Sequence, residues 1–378
     1  MKTVVLCAGG TGGHFFPAKA LASDLLSRGY IVHFFCDERG QKYKNQLPGQ
    51  VIFHVVPCGT MGKGLKGKVS GMSKLGLGLV KSLQLLLKIK PSAVIGFGGY
   101  PSYPGMYIAQ MLKIPTIVHE QNAVMGKANM ALSKKATTIA VSMPLVKEVA
   151  DSKKVLLTGN PVRQEIADLY TQPYSPSDKN DAFYLYVVGG SLGAKSFSDV
   201  VPMALKSLSK ELRSRLFVFQ QTKEEDIPAI RALYKQNGID ANVRSFFEDA
   251  HEKLRQSHLV ISRGGASAVA ELTTAGRPAI YVPYPHHVDQ QQKHNVSHVV
   301  AAKGGWLMEE GDSFNAEDLA KKIAELMVSP ELLFNTAEAA RQCATPDAAR
   351  KLGNIVSVAV QGWKSVEEQQ STSGEPSI

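Results

Sequence analysis

Apolar residues come in short, nearly unbroken runs early in the chain: Val4 to Ala8, Ile31 to Cys36, Ala93 to Gly96 and Thr116 to His119. Each is rich in β-branched, aliphatic or aromatic residues with little polar alternation, the pattern of strands covered on both faces. The stretches between them, such as Pro17 to Arg28, repeat apolar positions at helical spacing. Strands alternating with helices predict a parallel sheet with helices packed on either side. The pattern then restarts, with Phe183 to Val188, Leu216 to Gln220, Leu259 to Ser262 and Ala279 to Val282 as strands. Two doubly wound, Rossmann-like α/β domains are expected, divided near Gly159-Asn160-Pro161 and the loose segment Gln172 to Asp181. A final helical pattern, Ala348 to Trp363, follows Pro346, and the polar tail over 365–378 reads as disordered.

With 378 residues, 44% of them hydrophobic, the chain has enough apolar mass for two cores. No run approaches the roughly 18 apolar residues of a spanning helix, and Lys81 cuts the nearest candidate, Leu75 to Leu87. Five apolar residues before the first glycine loop are too few for a secretory leader. Cys7, Cys36, Cys58 and Cys343 are scattered, which suits a reduced, cytoplasmic setting. The net charge of +10 is unevenly spread: residues 1–160 carry 20 Lys and Arg against 6 Asp and Glu, and the remainder 23 against 27. No acidic residue falls between Glu38 and Glu120, while Lys63, Lys66, Lys68, Lys74, Lys81, Lys88 and Lys90 crowd one stretch. An anionic partner for the N-terminal half is expected. Leucines interleave with these lysines over 61–90, so an anionic lipid surface suits the segment; an ordinary packed helix with solvated lysines is the alternative. Nucleic acid is not expected, because no stacking ladder or recognition motif accompanies the lysines.

The first strand of each half runs into a glycine loop, Gly9-Gly10-Thr11-Gly12-Gly13-His14 and Gly189-Gly190-Ser191-Leu192-Gly193-Ala194. Glycine turns between strand and helix let a ligand approach the backbone, where the free N–H groups of the first helical turn bind anions. The first loop departs from the dinucleotide fingerprint, with Phe15 at its third position, although Asp37 ends the second strand. His14, beside this anion site, is expected exposed; alone it reads equally as a base or as a helix-capping imidazole. A third loop, Arg263-Gly264-Gly265-Ala266-Ser267, opens a helix carrying Glu271, a carboxylate suited to a ribose diol. After Ala279 to Val282 come Gln290, Gln291, Gln292 and Asn295, amides that suit sugar hydroxyls. His286, His287, Asp289, His294 and His298 could instead suggest a metal site, but no cysteine joins them and the chain has no Asp-x-Asp pair, so metal-independent chemistry without a cofactor is expected.

Six motifs now stand in order: the first glycine loop with Pro17, Gly96-Phe97-Gly98-Gly99-Tyr100, His119-Glu120-Gln121-Asn122, Gly159-Asn160-Pro161-Val162-Arg163, Gly189-Gly190-Ser191, and Asp289 with Gln291-Gln292 and Asn295. Together they resemble the bacterial peptidoglycan N-acetylglucosaminyltransferases that act on a lipid-linked muramyl pentapeptide. The resemblance implies the GT-B class, two facing α/β domains with an interdomain active site on the inner face of the cell membrane. It implies an acceptor-binding, membrane-associating domain over 1–162, onto which the helix 346–364 packs back. It implies a donor domain over 163–345 that holds UDP-N-acetylglucosamine. Phe247 would meet uracil through its backbone and Glu271 the ribose. Ser191 and the turn Ala266, Ser267, Ala268, Val269 and Ala270 would meet the diphosphate, and Gln291 and Gln292 the sugar. Thr11, Gly12, Gly13, Asn122 and Arg163 would complete the cleft. An inverting transfer needs a base, for which His14 is the candidate and Glu120 the reserve, with Asn122 beside them. The chain departs from the family at Leu192, at Ser267-Ala268 in place of Leu-Thr, at Lys223 where a glycine is customary, and in a longer His286-His287 segment. Another lipid glycosyltransferase, a sugar-nucleotide epimerase and a non-catalytic UDP-sugar-binding module are the competing readings.

Overall fold

The computed structural model describes residues 2–361 apart from 60–63, 148, 150, 179–180, 191–193 and 288, and over 64–69 the backbone alone. Ser191, the tail over 365–378 and the first residues of the basic segment therefore lie outside the described residues. The N-terminal half runs β1 (Thr3–Ala8), α1 (Gly12–Ser27), β2 (Ile31–Cys36), β3 (Ile52–Val55), α2 (Gly64–Ile89), β4 (Ala93–Gly96), α3 (Tyr103–Met111), β5 (Thr116–Glu120), α4 (Lys127–Ser133), β6 (Thr138–Val141) and β7 (Val155–Leu157). Its seven strands form one parallel sheet in the order β3-β2-β1-β4-β5-β6-β7.

The second half runs α5 (Gln164–Ala167), β8 (Phe183–Val188), α6 (Lys195–Lys206), α7 (Lys210–Arg215), β9 (Leu216–Gln221), α8 (Ile227–Gln236), β10 (Asp240–Arg244), α9 (Ala250–Gln256), β11 (Leu259–Ser262), α10 (Ala266–Thr274), β12 (Ala279–Tyr281), α11 (Gln291–Ala301), β13 (Gly305–Leu307), α12 (Ala316–Met327) and α13 (Pro330–Gln342). Its six-stranded sheet is ordered β10-β9-β8-β11-β12-β13, again parallel. Strand order reverses between β1 and β4 and between β8 and β11, and ligands of open α/β sheets bind at such switch points, beyond the carboxyl ends of the strands.

Each sheet is buried on both faces, which is why its central strands are continuous apolar runs. Val4, Leu6 and Ala8 point into one layer of the first domain, and Val5 and Cys7 into the other. In the second domain Phe183, Leu185 and Val187 face one layer and Tyr186 the opposite one. The last helix, α14 (Ala348–Gln361), crosses back to the first domain and inserts Leu352, Val356 and Ala359 beside α1. Arg28 fastens it by donating to Asn354 Oδ1 at 2.8 Å and to the Arg350 carbonyl at 3.0 Å, while Tyr30 donates to Ser357 Oγ at 3.1 Å. A Cβ at Gly353 would fall onto the Asp24 carboxylate and the Arg28 guanidinium, so a larger residue there would displace the ion pair that fastens the helix.

Candidate active site

The loops after β1, β4 and β5 face those after β11 and β12 across a cleft between the domains. Helix α1 begins at Gly12, five residues before the helix expected from the sequence, so His14 already sits in its first turn. The imidazole is half-buried rather than exposed, a correction to the sequence reading. Gly98 and Gly99, at φ 78° and 72°, bring the backbone after β4 against the ring, where Cβ atoms would lie 3.5 Å from its carbons. The ring's Nδ1 meets Thr11 Oγ1 at 2.8 Å. Burial first, and the Arg39 charge second, push the His14 pKa down from 6.5 to about 4, so the ring is neutral near pH 7.

Glu120 requires a second correction. Its side chain is buried; Oε1 accepts from the Asn122 backbone N–H at 3.0 Å and from Asn122 Nδ2 at 3.2 Å, and Oε2 from Gly126 N at 3.0 Å and Asn129 Nδ2 at 2.8 Å. Four donors occupy the four lone-pair directions of a carboxylate, so none is left for a substrate hydroxyl. Glu120 therefore anchors the loop 121–126 instead of serving as a reserve base. His119 does comparable work on the neighbouring backbone: Nε2 donates to the Gly159 carbonyl at 3.2 Å and Nδ1 accepts from Gln121 at 3.0 Å. The loop after β5 is thereby tied to the segment that joins the domains.

That loop presents Asn122 and Ala123 to the second domain. Asn295, fully buried on α11, accepts from the Ala123 N–H at 2.9 Å and donates to Asn122 Oδ1 and to the Gly264 carbonyl, both at 3.1 Å. One side chain thus joins a loop of each domain and fixes which way the Asn122 amide points. Gln291 Nε2 reaches the Val124 carbonyl at 3.5 Å, while Gln292 Oε1 accepts from the Tyr284 N–H at 2.9 Å and holds the loop after β12.

On the second domain, the turn Ala266 to Ala270 forms the start of α10, which opens behind Gly264 and Gly265. Ala266 packs with Ala123 and Met143 of the first domain. Glu271 pairs with Arg163 at 3.4 Å, and the guanidinium lies 5.5 Å from the centre of the Phe16 ring on α1. The acid read as a ribose ligand is thus held by a cation from the interdomain segment. The Phe247 ring is buried edge-on to Tyr186. Arg263, to which the sequence assigned no role, pairs with Glu310, donates to Ser196 at 3.1 Å and to the Val282 carbonyl at 3.1 Å, and so ties the first turn of α6 to the loops around 282 and 310. Its position directly before the paired glycines was the available signal. Among the described residues no three His, Cys, Asp or Glu side chains are grouped to share a metal ion.

Comparisons with known proteins agree with this two-domain cleft. The chain matches the glycosyltransferase family 28 N-terminal domain over residues 4–141 and the C-terminal domain of that family over 184–352. A relative from Rhodospirillum centenum is 44% identical over 94% of each chain. One from Paramagnetospirillum magneticum is 45% identical over 93% of this chain and 95% of its own. Both are named UDP-N-acetylglucosamine–N-acetylmuramyl-(pentapeptide) pyrophosphoryl-undecaprenol N-acetylglucosamine transferase. The crystal structure of Acinetobacter baumannii MurG superposes with a TM-score of 0.75 at 28% identity, covering 94% of this chain and 99% of its own. A putative UDP-N-acetylglucosamine 2-epimerase from Listeria monocytogenes, at 14% identity and a TM-score of 0.68, shares the fold alone.

Proposed function

The chain belongs to glycosyltransferase family 28, and on that premise we propose that it moves N-acetylglucosamine from UDP-N-acetylglucosamine to the C4 hydroxyl of undecaprenyl-diphospho-N-acetylmuramoyl-pentapeptide. What carries the reading is that relatives named for this transfer match nearly end to end, at 44% and 45% identity, so both sides of the cleft are shared and not the fold alone.

In this reading the second domain takes the donor. Glu271 exchanges Arg163 for the ribose hydroxyls, the Phe247 backbone meets uracil, and Gln291 and Gln292 meet the sugar. The diphosphate lies against Ser191 and the first turn of α10, whose unpaired N–H groups and dipole favour negative charge. Thr11, Gly12, Gly13, Asn122 and Arg163 close the cleft from the opposite side. The transfer is a single in-line displacement: the acceptor O4–C1 bond forms as the bond from C1 to the diphosphate oxygen breaks, and UDP leaves with the electron pair. The O4 proton passes to His14. With Nδ1–H donated to Thr11, Nε2 is left bare to receive it. Backbone N–H groups preorganised toward the departing diphosphate supply the electrostatic stabilisation.

The acceptor's lipid calls for a membrane face. Met72, Val80, Leu83 and Leu87 form an exposed stripe on α2, with Leu77 beside it and Lys74, Lys81 and Lys88 along the helix. No helix among the described residues is long and apolar enough to cross a membrane. An apolar stripe edged by lysines suits peripheral attachment to anionic lipid on the cytoplasmic face of the membrane.

The test is UDP release from UDP-N-acetylglucosamine with and without a short-chain lipid-linked muramyl pentapeptide, in the presence of a chelator. Release that needs the acceptor and survives chelation is expected. Donor binding without UDP release would move the epimerase and binding-module readings ahead.

A further inference from the structure

Helix α1 contains Pro17, four residues after Gly13. In an α-helix the carbonyl of residue 13 accepts from the N–H of residue 17, and proline has none. The Gly13 carbonyl is therefore left without its helical partner, one residue before His14. The other domain supplies a donor: Ser267 Oγ lies 3.3 Å from that carbonyl, and the same hydroxyl accepts from Asn160 Nδ2, of the interdomain segment, at 3.5 Å. Ser267 sits in the first turn of α10, so its backbone belongs to the surface that faces the donor's leaving group while its hydroxyl faces the turn that carries the base. Beside it, the packing of Ala266 on Ala123 and Met143 brings the same turn against the first domain through apolar contact.

We propose that Ser267 is a cross-cleft positioning residue: its hydroxyl, donated to the Gly13 carbonyl that Pro17 leaves free, sets the spacing between the first turn of α10 and the His14 turn. Because the two turns flank the reacting atoms, this contact governs turnover and not donor affinity. The inference rests on the transferase reading for its kinetic consequence, though not for the contact itself.

Ser267→Ala is expected to lower kcat about fivefold, the scale of one neutral hydrogen bond, with KM for UDP-N-acetylglucosamine unchanged. Ser267→Thr keeps the hydroxyl and should retain the wild-type kcat. In a Pro17→Ala background the Gly13 carbonyl regains a helical donor, and the same Ser267→Ala change should then cost less than about twofold, a coupling that a merely structural serine would not show. In the ligand-free protein, amide hydrogen exchange over residues 12–15 should speed up in Ser267→Ala. The proposal is overturned if Ser267→Ala leaves kcat and exchange as in the wild type, if it raises donor KM alone, or if Ser267→Thr is as impaired as Ser267→Ala. Wild-type protein that releases no UDP in the presence of acceptor would remove the transferase reading instead, and the exchange measurement would still decide the contact.

Discussion

His14 gains its properties from neighbours that contribute no acid or base of their own. Gly98 and Gly99 border the ring so closely that a Cβ at either would touch it, Thr11 orients one nitrogen, and burial with the Arg39 charge keeps the other unprotonated. Replacing His14 by alanine is expected to lower kcat by about a hundredfold or more, the usual range for a lost general base. The pH profile is a sharper check. A base with a pKa of about 4 is in its active neutral form throughout the range where an ordinary histidine titrates. In the free enzyme, kcat/KM should therefore stay level as pH falls through 6.5 and decline only toward 4; a limb centred on 6.5 would remove the burial argument. The sequence announced His14 by its place between a glycine loop and a helix. It also offered Glu120 as a reserve base, because an isolated acid in a basic region looks free. Three of the four N–H groups that occupy the Glu120 carboxylate belong to residues two or six positions away, and the fourth to Asn129 on α4. Only the folded loop brings them onto one carboxylate.

At the level of elements, the strands that apolar runs announced are the central ones. Of the five they did not announce, β3, β7, β10 and β13 are the four sheet edges. An edge strand is covered less completely, so it tolerates the exposed Ile52 of β3, the three-residue length of β7 and β13, and the Asp240-Ala241-Asn242-Val243-Arg244 of β10. The remaining one, β6, is four residues long and next to an edge. Helix α2 shows a complementary case: Leu77 is 62% and Leu87 54% exposed, because only one side of the helix meets α3 and the sheet, whereas a fully packed helix would have buried them. Val80→Asp combined with Leu87→Asp should weaken sedimentation with phosphatidylglycerol vesicles by about tenfold or more, since each change removes an exposed apolar side chain that would enter the lipid and adds charge repelled by the surface. Turnover of a short-chain, soluble acceptor should be unaffected. Equal vesicle binding by the variant and the wild type would refute the role given to this stripe.

Taken whole, the molecule depends on two neutral imidazoles, His119 fully buried and His258 half-buried. His119 Nδ1 accepts from Gln121 and His258 Nδ1 from the Tyr184 N–H, so protonation would set N–H against N–H in both places. Burial holds both pKa values down at about 4, below the ordinary 6.5. Between those values the unfolded chain binds protons that the native protein does not, so the stability present above pH 6.5 is lost as pH falls toward 4. The melting temperature at constant ionic strength should accordingly drop steadily from pH 6.5 to 4.5; a flat response across that window would contradict the assignment.

The sequence by itself determined two doubly wound domains, the glycine loops and the acid and amides that follow them, because these depend on local pattern: apolar runs where both faces are covered, and glycine where backbone must turn or meet a ligand. The tertiary structure decided which of those groups work together. The reach of Asn295 to Asn122 and Ala123 and the meeting of Ser267 with Gly13 join residues more than a hundred positions apart on different domains, and the pairing of Arg163 with Glu271 ties the interdomain segment to α10 across a similar separation. No periodicity in the chain encodes such a meeting; it exists only once two separately folded sheets have been brought face to face.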